Sequence, residues 1–221
     1  MEKFLGVLFC GGRGVRLGEI SKYISKPLIP VYDKPVFKFG LELLKNSNHI
    51  DEILILTNED NDRFFKNENI RTIVQDDNKV SGIFSGWEYV KEVTKTKKNA
   101  VLYPGDNICD ADIDSMIMHF KTANPEFLFS LIKLMDTEKL SEMGSFDITR
   151  KIYSYRNPVS EMGVIAPYII KNDLGKKASS ELFSSDKSDY LIYNGNWYDI
   201  GDIDSILNAS IWRQKTLAGK T

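Results

Sequence analysis

A glycine-rich segment, residues 10–17 (CGGRGVRL), follows a short apolar run near the start of the chain. Glycines at the carboxyl end of a strand let backbone N–H groups approach a phosphate closely. Open α/β sheets bind their ligands at that same edge. Arg16 adds a cation to the segment. We therefore interpret Gly11, Gly12 and Gly14 as a phosphate-binding loop.

Two common phosphate-binding motifs do not fit this segment. A Walker A loop needs Lys followed by Ser or Thr after its last glycine, and Gly12 and Arg13 stand there instead. A dinucleotide-binding loop needs a third glycine, where Leu17 stands, and an acid for the ribose. An NAD-linked oxidoreductase is therefore a weak alternative for this chain.

A second cation and two carboxylates lie in other segments. Prolines in residues 25–35 (SKPLIPVYDKP) keep the chain extended around Lys26. Asp106 follows a later apolar run, and Asp199 stands just before a predicted helix. Because Mg²⁺ takes one or two carboxylates and fills its octahedron with phosphate oxygens and water, these residues are the ingredients of a Mg²⁺ site.

Strands and helices must alternate to bring these residues together. Continuous apolar runs of strand length indicate strands that are buried on both faces. These runs are residues 4–9, 52–57, 71–75, 100–103 and 127–134, and helical patterns cover residues 36–45, 82–93 and 113–121. The alternation predicts an α/β fold with a Rossmann-like, mostly parallel sheet that is flanked by helices.

The pattern becomes β-rich after about residue 135. Short strand patterns precede a final helix, and they cover residues 145–148, 151–156, 164–170 and 189–194. We predict one domain, residues 1–221, with a core (1–135), a smaller β-rich lobe (136–201) and a C-terminal helix and tail (202–221). The serine-rich residues 179–188 (SSELFSSDKS) are predicted to form a mobile loop.

Composition excludes several classes of function. The 221 residues carry 29 Lys and Arg against 31 Asp and Glu, without a sustained basic block, so we expect no nucleic acid polymer as partner. No apolar run reaches the roughly 18 residues of a membrane span, and no leader pattern is visible at the start. Two cysteines, Cys10 and Cys109, suit a reducing cytoplasm, where we expect the protein.

Four segments together, in their order along the chain, carry a resemblance to a known family. They are Gly11-Gly12-x-Gly14-x-Arg16-Leu17, residues 25–35, Gly105-Asp106-Asn107, and Trp197-x-Asp199-x-Gly201. This arrangement resembles the sugar-1-phosphate nucleotidyltransferase family and is most similar to its glucose-1-phosphate thymidylyltransferases. The resemblance covers nearly the whole chain, without the C-terminal helical extension of those enzymes.

The resemblance implies a reaction and roles for four residues. Members transfer a nucleotidyl group from a nucleoside triphosphate to a sugar 1-phosphate, which gives pyrophosphate and a nucleotide sugar for polysaccharide or glycan assembly. By this resemblance, Arg16 holds the triphosphate and the departing pyrophosphate. Lys26 bridges the α-phosphate and the sugar phosphate, while Asp106 and Asp199 hold the cofactor Mg²⁺.

The resemblance also assigns the nucleotide-binding and sugar-binding residues. Gln75 matches the glutamine that reads the base and Gly82 the glycine that faces it, which makes dTTP the favoured donor. In the lobe, the family's Glu-Lys-Pro is replaced by Arg156-Asn157-Pro158. The residues predicted at the sugar are Gly144, Arg156, Asn157 and Glu161, together with Trp197, which stands beside Asp199 in the sequence.

Alternatives remain open at this point. A primary amide such as that of Gln75 both donates and accepts, so a uridylyl-, cytidylyl- or guanylyltransferase that acts on another phosphorylated acceptor is also compatible with the sequence. A non-catalytic, nucleotide-binding regulatory homologue would keep the fold without turnover. The expected partners are a nucleoside triphosphate and a sugar 1-phosphate, and a homodimer is compatible with the sequence.

Overall fold

The structure, a computed structural model, describes residues 2–12 and 14–219. Met1, Arg13, Lys220 and Thr221 lie outside the described residues. The strands are β1 (Phe4–Phe9), β2 (Pro30–Val31), β3 (Lys34–Pro35), β4 (Ile50–Thr57), β5 (Arg71–Val74), β6 (Ala100–Pro104), β7 (Asn107–Cys109), β8 (Phe127–Lys133), β9 (Ser145–Asp147), β10 (Ile152–Ser154), β11 (Met162–Ile170), β12 (Ser188–Tyr193) and β13 (Trp197–Asp199).

Helices connect most of these strands. They are α1 (Phe37–Lys45), α2 (Glu59–Phe65), α3 (Ile83–Thr94), α4 (Ile113–Ala123), α5 (Thr137–Met143) and α6 (Ile203–Ala218). Short 3-10 turns cover Val15–Lys22, Lys26–Leu28, Lys66–Glu68 and Ser180–Ser184. The elements predicted from the apolar runs are therefore present, with ends that differ by a few residues.

The central sheet has the order β12-β8-β11-β6-β1-β4-β5. Strands β6, β1, β4 and β5 are parallel neighbours, and β12 runs parallel to β8. Only β11, among the strands of this path, runs antiparallel to both of its neighbours, β6 and β8. The predicted α/β fold with a mostly parallel, Rossmann-like sheet is confirmed.

Strand β1 shows why continuous apolar runs indicate the centre of such a sheet. Leu5 and Val7 belong to the buried cluster that includes Trp87 of α3. Phe4 and Leu8 belong to the cluster that includes Leu41 of α1. Because alternate residues point to opposite faces of a strand and helices cover both faces, nearly every position in β1 must be apolar.

The segment after residue 135 contributes to the same sheet. Strand β11 lies inside the central sheet and β12 is its edge strand beside β8, whereas β9 and β10 form a hairpin that pairs with the start of β11. The predicted boundary between core and lobe therefore runs through one continuous sheet. A separate β-rich unit is limited to the β9–β10 hairpin and the turns around it.

The prediction of a mobile loop at residues 179–188 is wrong. Leu182 is fully buried and Phe183 is 5% exposed. The ring of Phe183 packs against several aromatic rings at centroid distances from 4.4 to 5.8 Å: those of Phe84, Phe127, Phe129, Tyr153 and Tyr168. Two apolar residues within a serine-rich run thus anchor the segment over the β8 side of the sheet.

Among the described residues, no helix combines the length and the apolar character that crossing a membrane requires.

Replacing Phe183 by Ala tests this anchor. The substitution removes a buried ring from the aromatic cluster, and we expect the free energy of unfolding to fall by about 3–5 kcal/mol. Urea denaturation measures this loss. Phe64→Ala is the matched control, because Phe64 is 41% exposed and its loss should change stability by about 0.5 kcal/mol or less. Equal effects of the two substitutions would contradict the anchoring role.

Candidate active site

The glycine loop leaves the end of β1 and is held by two asparagines at the start of α2. Asn58 Nδ2 donates to the carbonyl of Gly11 at 3.0 Å, and Asn61 Nδ2 donates to the carbonyl of Cys10 at 3.1 Å. Asn58 also caps α2 by accepting from the backbone N–H of Asn61. Sequence reasoning assigned no role to these asparagines, although their position just after β4 places them beside the end of β1.

Gly14 brings this loop against Lys26. Its φ is +66°, a backbone conformation that favours glycine, and an added Cβ would lie 3.0 Å from Cβ of Lys26. Lys26 lies in a short 3-10 turn, Lys26–Leu28, that contains Pro27, so the prediction that prolines keep the chain extended around Lys26 is wrong. A side chain at position 14 would therefore strain the loop and displace the lysine.

Lys26 is the buried cation of the site, with 7% of its surface exposed. Its Nζ lies 2.6 Å from Asp106 Oδ2 and 3.6 Å from Asp199 Oδ1. Burial alone would lower the pKa of Lys26, but the two carboxylates outweigh it and raise that pKa above its ordinary value. Lys26 therefore carries a full positive charge at neutral pH.

Strand pairing brings the two carboxylates together. Asp106 follows β6, and Asp199 ends β13, which pairs antiparallel with β7 so that Asp199 lies opposite Asn107. The backbone N–H of Ile200 donates to the carbonyl of Asp106 at 2.9 Å. Burial and the negative charge of Asp106 raise the pKa of Asp199, and the positive charges of Lys26 and Arg16 act against this rise.

Asn107 bridges the two carboxylates, and sequence reasoning did not find this role. Its Nδ2 lies 3.0 Å from Asp106 Oδ1 and 3.3 Å from Asp199 Oδ1. Trp197 Nε1 donates to Asn107 Oδ1 at 3.1 Å. Because an indole nitrogen only donates, it fixes the amide oxygen on its own side and directs both amide hydrogens towards the carboxylates.

Arg16 lies at the open side of the site. One guanidinium nitrogen lies 3.2 Å from Asp199 Oδ2, and the other bonds Glu142 of α5. A Cβ added at Gly201 would lie 2.9 Å from the guanidinium, so glycine lets the arginine cross the end of β13. Glu142 is a further residue that sequence reasoning missed, because nothing in its local pattern indicates a contact with Arg16.

Three cavities meet around these groups. The first, of about 550 Å³, includes Gly11, Gly12, Gln75, Gly82 and Asp106 in its lining. A second, of about 200 Å³, is lined by Gly12, Gly14, Arg16, Lys26, Asp106 and Gly201. The structure therefore places the predicted nucleotide-binding residues beside the predicted catalytic residues.

The third cavity, of about 870 Å³, lies between α5, β13 and α6. Arg16, Glu142, Trp197, Asp199 and Trp212 are among its lining residues. It thus adjoins the second cavity at Arg16, on the side away from Gln75. Trp197, which is predicted to lie at the sugar, lines this cavity and also donates to Asn107.

The structure does not bring the other predicted sugar residues to these cavities. Gly144 ends α5 and lies against the ring of Tyr153. Arg156 and Asn157 are exposed in the turn after β10, and Glu161 forms an ion pair with Lys133 at 3.2 Å. These four residues are not among the described residues that line the three cavities.

The carboxylate pair fits a hard divalent cation that brings other ligands with it. Within residues 2–12 and 14–219, no group of three or more His, Cys, Asp and Glu side chains could hold a metal ion. Two carboxylates are what Mg²⁺ takes from a protein when phosphate oxygens and water complete its shell. Asp106 and Asp199 therefore suit Mg²⁺ that arrives with a phosphate ligand.

Comparison with known families agrees with this geometry. Residues 5–151 match the model of a family described as nucleotidyl transferase, and this match covers more than half of the chain. The chain belongs to the nucleotidyl transferase family.

Named relatives span several activities. The chain is 26% identical over 97% of its length to the bifunctional protein GlmU of Methanococcus vannielii, of which the match covers 56%. It is 32% identical over 50% of its length to D-glycero-alpha-D-manno-heptose 1-phosphate guanylyltransferase of Campylobacter jejuni, of which the match covers 51%. The chain thus spans about half the length of the curated relatives that it matches over most of its own length.

Solved structures share the fold. A protein from Bacillus anthracis, assigned as a glucose-1-phosphate thymidylyltransferase and crystallised with sucrose, has a TM-score of 0.78 at 22% identity. That match covers 95% of this chain and 94% of the other. At this level of identity, the likeness supports the Rossmann-like fold alone.

Asp199→Asn tests whether the ionised carboxylate of Asp199 lowers the free energy of unfolding. The pKa of Asp199 is raised in the folded protein, so the folded state binds more protons between the ordinary value of 3.8 and the raised value. The free energy of unfolding therefore falls as pH rises through this window. Asn cannot ionise, so we expect the variant to be more stable than the wild type at neutral pH and to lose this advantage in acid. Urea denaturation from about pH 4 to about pH 8 measures both effects.

Asp33→Asn is the control with the opposite sign. The hydrogen bond from Arg213 lowers the pKa of Asp33, so its contribution to stability is present at neutral pH and is lost as pH falls. This variant should not gain stability at neutral pH. A neutral-pH stability of the Asp199 variant at or below that of the wild type would contradict the prediction.

Proposed function

We propose that the protein transfers a nucleotidyl group from a nucleoside triphosphate to a sugar 1-phosphate, with release of pyrophosphate. The observation that carries this proposal is the buried ammonium of Lys26, which lies between two carboxylates and beside a glycine loop. A site with two cations, two carboxylates and a glycine loop is suited to bring two phosphate anions together. Membership of the nucleotidyl transferase family supports the same reaction class.

The proposed donor lies along the glycine loop. Backbone N–H groups around Gly11, Gly12 and Gly14 would bind phosphate oxygens, and Arg16 would hold the β- and γ-phosphates at the open side. Gln75 and Gly82 line the adjoining cavity, where the base would lie. The resemblance favours dTTP, and Gln75 would read the base through its amide.

Catalysis in this proposal is positioning and charge stabilisation. An oxygen of the sugar phosphate attacks the α-phosphorus, the new P–O bond forms, and the bond to the β-phosphate oxygen breaks as pyrophosphate leaves. Negative charge spreads over the equatorial oxygens of the α-phosphorus in the transition state. The ammonium of Lys26 would lie beside these oxygens and lower the barrier, because a fixed charge in a water-poor site acts strongly.

The two cations are paired with carboxylates before they meet phosphate. Lys26 is held by Asp106, and Arg16 is held by Asp199 and Glu142. A triphosphate offers oxygens that compete for the same cations. The carboxylates thus keep both cations in place until substrate oxygens take over part of their hydrogen bonding.

Asp106 and Asp199 would hold Mg²⁺ in this proposal, with Asn107 and Trp197 setting the orientation of the carboxylates. When bound, Mg²⁺ neutralises charge on phosphate oxygens and orients the donor. Burial and the negative charge of Asp106 raise the pKa of Asp199, and this supports the role because a bound cation would stabilise both carboxylates.

The acceptor is the least defined part of the proposal. Trp197 lines the cavity beyond Arg16, and Gly144, Arg156, Asn157 and Glu161 stay predicted sugar contacts from the resemblance alone. One matched relative is named a guanylyltransferase of a heptose 1-phosphate, so acceptors other than glucose 1-phosphate belong in any test. We place the reaction in the cytoplasm, where nucleoside triphosphates are available.

Pyrophosphate release with Mg²⁺ tests the proposal. We cross dTTP, UTP, CTP and GTP with the 1-phosphates of glucose, amino sugars, mannose and heptose, and we expect turnover for one pair or a few. In Lys26→Met the rate constant for that pair should fall by about 10²–10³-fold, because the transition-state charge loses its buried cation. Lys22→Met is the matched control, since Lys22 is exposed and pairs with Glu19.

Two results would count against this assignment. Full activity in Lys26→Met would remove Lys26 from the chemistry. The alternative of a non-catalytic homologue would be favoured if no pair gave pyrophosphate while a thermal shift assay still detected nucleotide binding.

Metal dependence is tested with Asp106→Asn. Chelation by EDTA should abolish turnover and excess Mg²⁺ should restore it. Asp106→Asn removes one of the two carboxylates that hold the ion, so we expect half-maximal activity to need at least about tenfold more Mg²⁺, in line with the loss of a ligand. Asp189→Asn is the control, because that carboxylate pairs with His119 elsewhere. An unchanged Mg²⁺ requirement in Asp106→Asn would overturn the metal assignment.

A further inference from the structure

The amide of Gln75 is bonded on one side to a carboxylate of its own loop. Gln75 follows β5, and its Nε2 donates to Asp77 Oδ1 at 2.8 Å. Both residues line the cavity that also contains Gly11, Gly82 and Asp106. The side chain that would read the base is therefore held by a neighbour within the same wall of the cavity.

This contact determines the orientation of the NH₂ group and the oxygen of the Gln75 amide. An ionised carboxylate only accepts hydrogen bonds, so the NH₂ end of Gln75 must face Asp77 and the oxygen must face away. A Cβ added at Gly11 would lie 2.3 Å from Oε1 of Gln75 and 2.9 Å from Nε2. The amide thus lies flat against Gly11, with its oxygen as the atom nearest to the glycine.

The loop is built to hold Asp77 in this place. The backbone N–H of Gln75 donates to the carbonyl of Thr57 at 2.7 Å, which ties the residue to the end of β4. The carbonyl of Asp76 accepts from the N–H groups of Lys79 and Val80 at 2.8 and 2.9 Å. This turn follows directly after Gln75 and contains Asp77.

The oxygen of Gln75 therefore faces the interior of the cavity. Strand order places β4 between β5 and β1, so the direction from Gln75 to Gly11 leads towards the centre of the sheet. The cavity continues in that direction to Pro104 and Asp106, at the end of β6. A base whose phosphates lie near Asp106 would meet the amide oxygen of Gln75 with its hydrogen-bonding edge.

An inward acceptor discriminates between bases by their ring nitrogen. Uracil and thymine carry N3–H and guanine carries N1–H at the centre of that edge, and each can donate to the amide oxygen. Cytosine and adenine carry a lone pair at the corresponding ring nitrogen, which would face the lone pairs of the amide oxygen, so these bases could donate only through the exocyclic NH₂ group beside it, after a shift of the base. An amide free to rotate could avoid this conflict by presenting its NH₂ group instead.

We propose that Asp77 is a positioning residue for base selection. By accepting from the NH₂ group of Gln75, Asp77 directs the amide oxygen into the cavity. This oxygen favours nucleoside triphosphates whose base carries a ring N–H, which are those of uracil, thymine and guanine. This inference rests on the proposed function, because it assumes that a nucleotide base occupies the cavity of Gln75. It adds a residue that acts on the base through Gln75 and a rule for which donors are disfavoured.

Asp77→Asn tests the proposal, because an asparagine can accept or donate towards Gln75 and no longer dictates the direction of its amide. Isothermal titration with Mg²⁺ measures the dissociation constants of UTP, dTTP, GTP, CTP and ATP. We expect the wild type to bind the first three at least about tenfold more tightly than the last two. In Asp77→Asn this ratio should shrink by about tenfold or more, mainly through tighter binding of CTP and ATP. A merely structural role would weaken all five alike.

Asp76→Asn is the matched control. It removes the same charge one residue away, and its side-chain oxygen can still accept from the N–H of Asn78 as Asp76 does. We expect its base preference to equal that of the wild type. Asp77→Glu keeps an acceptor-only partner and should restore part of the preference. Thermal unfolding of each variant confirms that the fold is retained.

The outcomes separate this inference from the function on which it rests. If none of the five nucleotides binds the wild type, the nucleotide donor is refuted and the inference falls with it. If the wild type binds CTP and ATP as tightly as the others, or if Asp77→Asn leaves the preference unchanged, the inference is overturned while the proposed reaction stands.

Discussion

The site depends on one electrostatic constraint: a buried ammonium must be neutralised where three strand ends meet. Lys26 has almost no contact with water, and its charge is neutralised by Asp106 at 2.6 Å, with Asp199 farther away at 3.6 Å. Burial and the neighbouring negative charge of Asp106 together raise the pKa of Asp199. The glycine loop, the β7–β13 pairing and the Asn107 bridge all serve to hold this set of charges in register.

Hydrogen-bond chemistry makes this arrangement directional as well as neutral. An indole that can only donate fixes the amide of Asn107, and a carboxylate that can only accept fixes the amide of Gln75. In both cases a side chain that can only donate or only accept determines the orientation of an amide, which can do both. The same principle thus applies at the carboxylate pair and in the cavity that Gln75 lines.

Much of the fold was predictable because buried parallel strands leave a simple signal. The run Phe4–Phe9 is apolar at nearly every position and is the centre of the sheet, and the alternation with helices fixed the fold class. Local polarity misled the prediction at residues 179–188, where serines surround the buried pair Leu182 and Phe183. The membership of β11 and β12 in the central sheet was equally hidden, because strand partners are set by contacts far apart in sequence.

The site residues that belong to sequence motifs were predictable, whereas the residues that only contact them were not. Arg16, Lys26, Asp106 and Asp199 come together as the motifs imply. The partners Glu142 and Asp77 lie in no motif, and their roles depend on side-chain directions that spacing does not encode. The predicted sugar contacts were carried by the weakest part of the resemblance, and all but Trp197 lie away from the described cavities.

The pairing of β13 with β7 also has a consequence for how the chain is made. Chains leave the ribosome from their N-terminus, and domains acquire structure as their segments become available. Lys26 and Asp106 emerge well before Asp199, which reaches Asn107 across a separation of 92 residues. A nascent chain can therefore neutralise its buried lysine with a single carboxylate, and it meets the repulsion of the second only when synthesis has passed β13. The order of translation thus postpones the approach of the two carboxylates until the strands of the central sheet have been made.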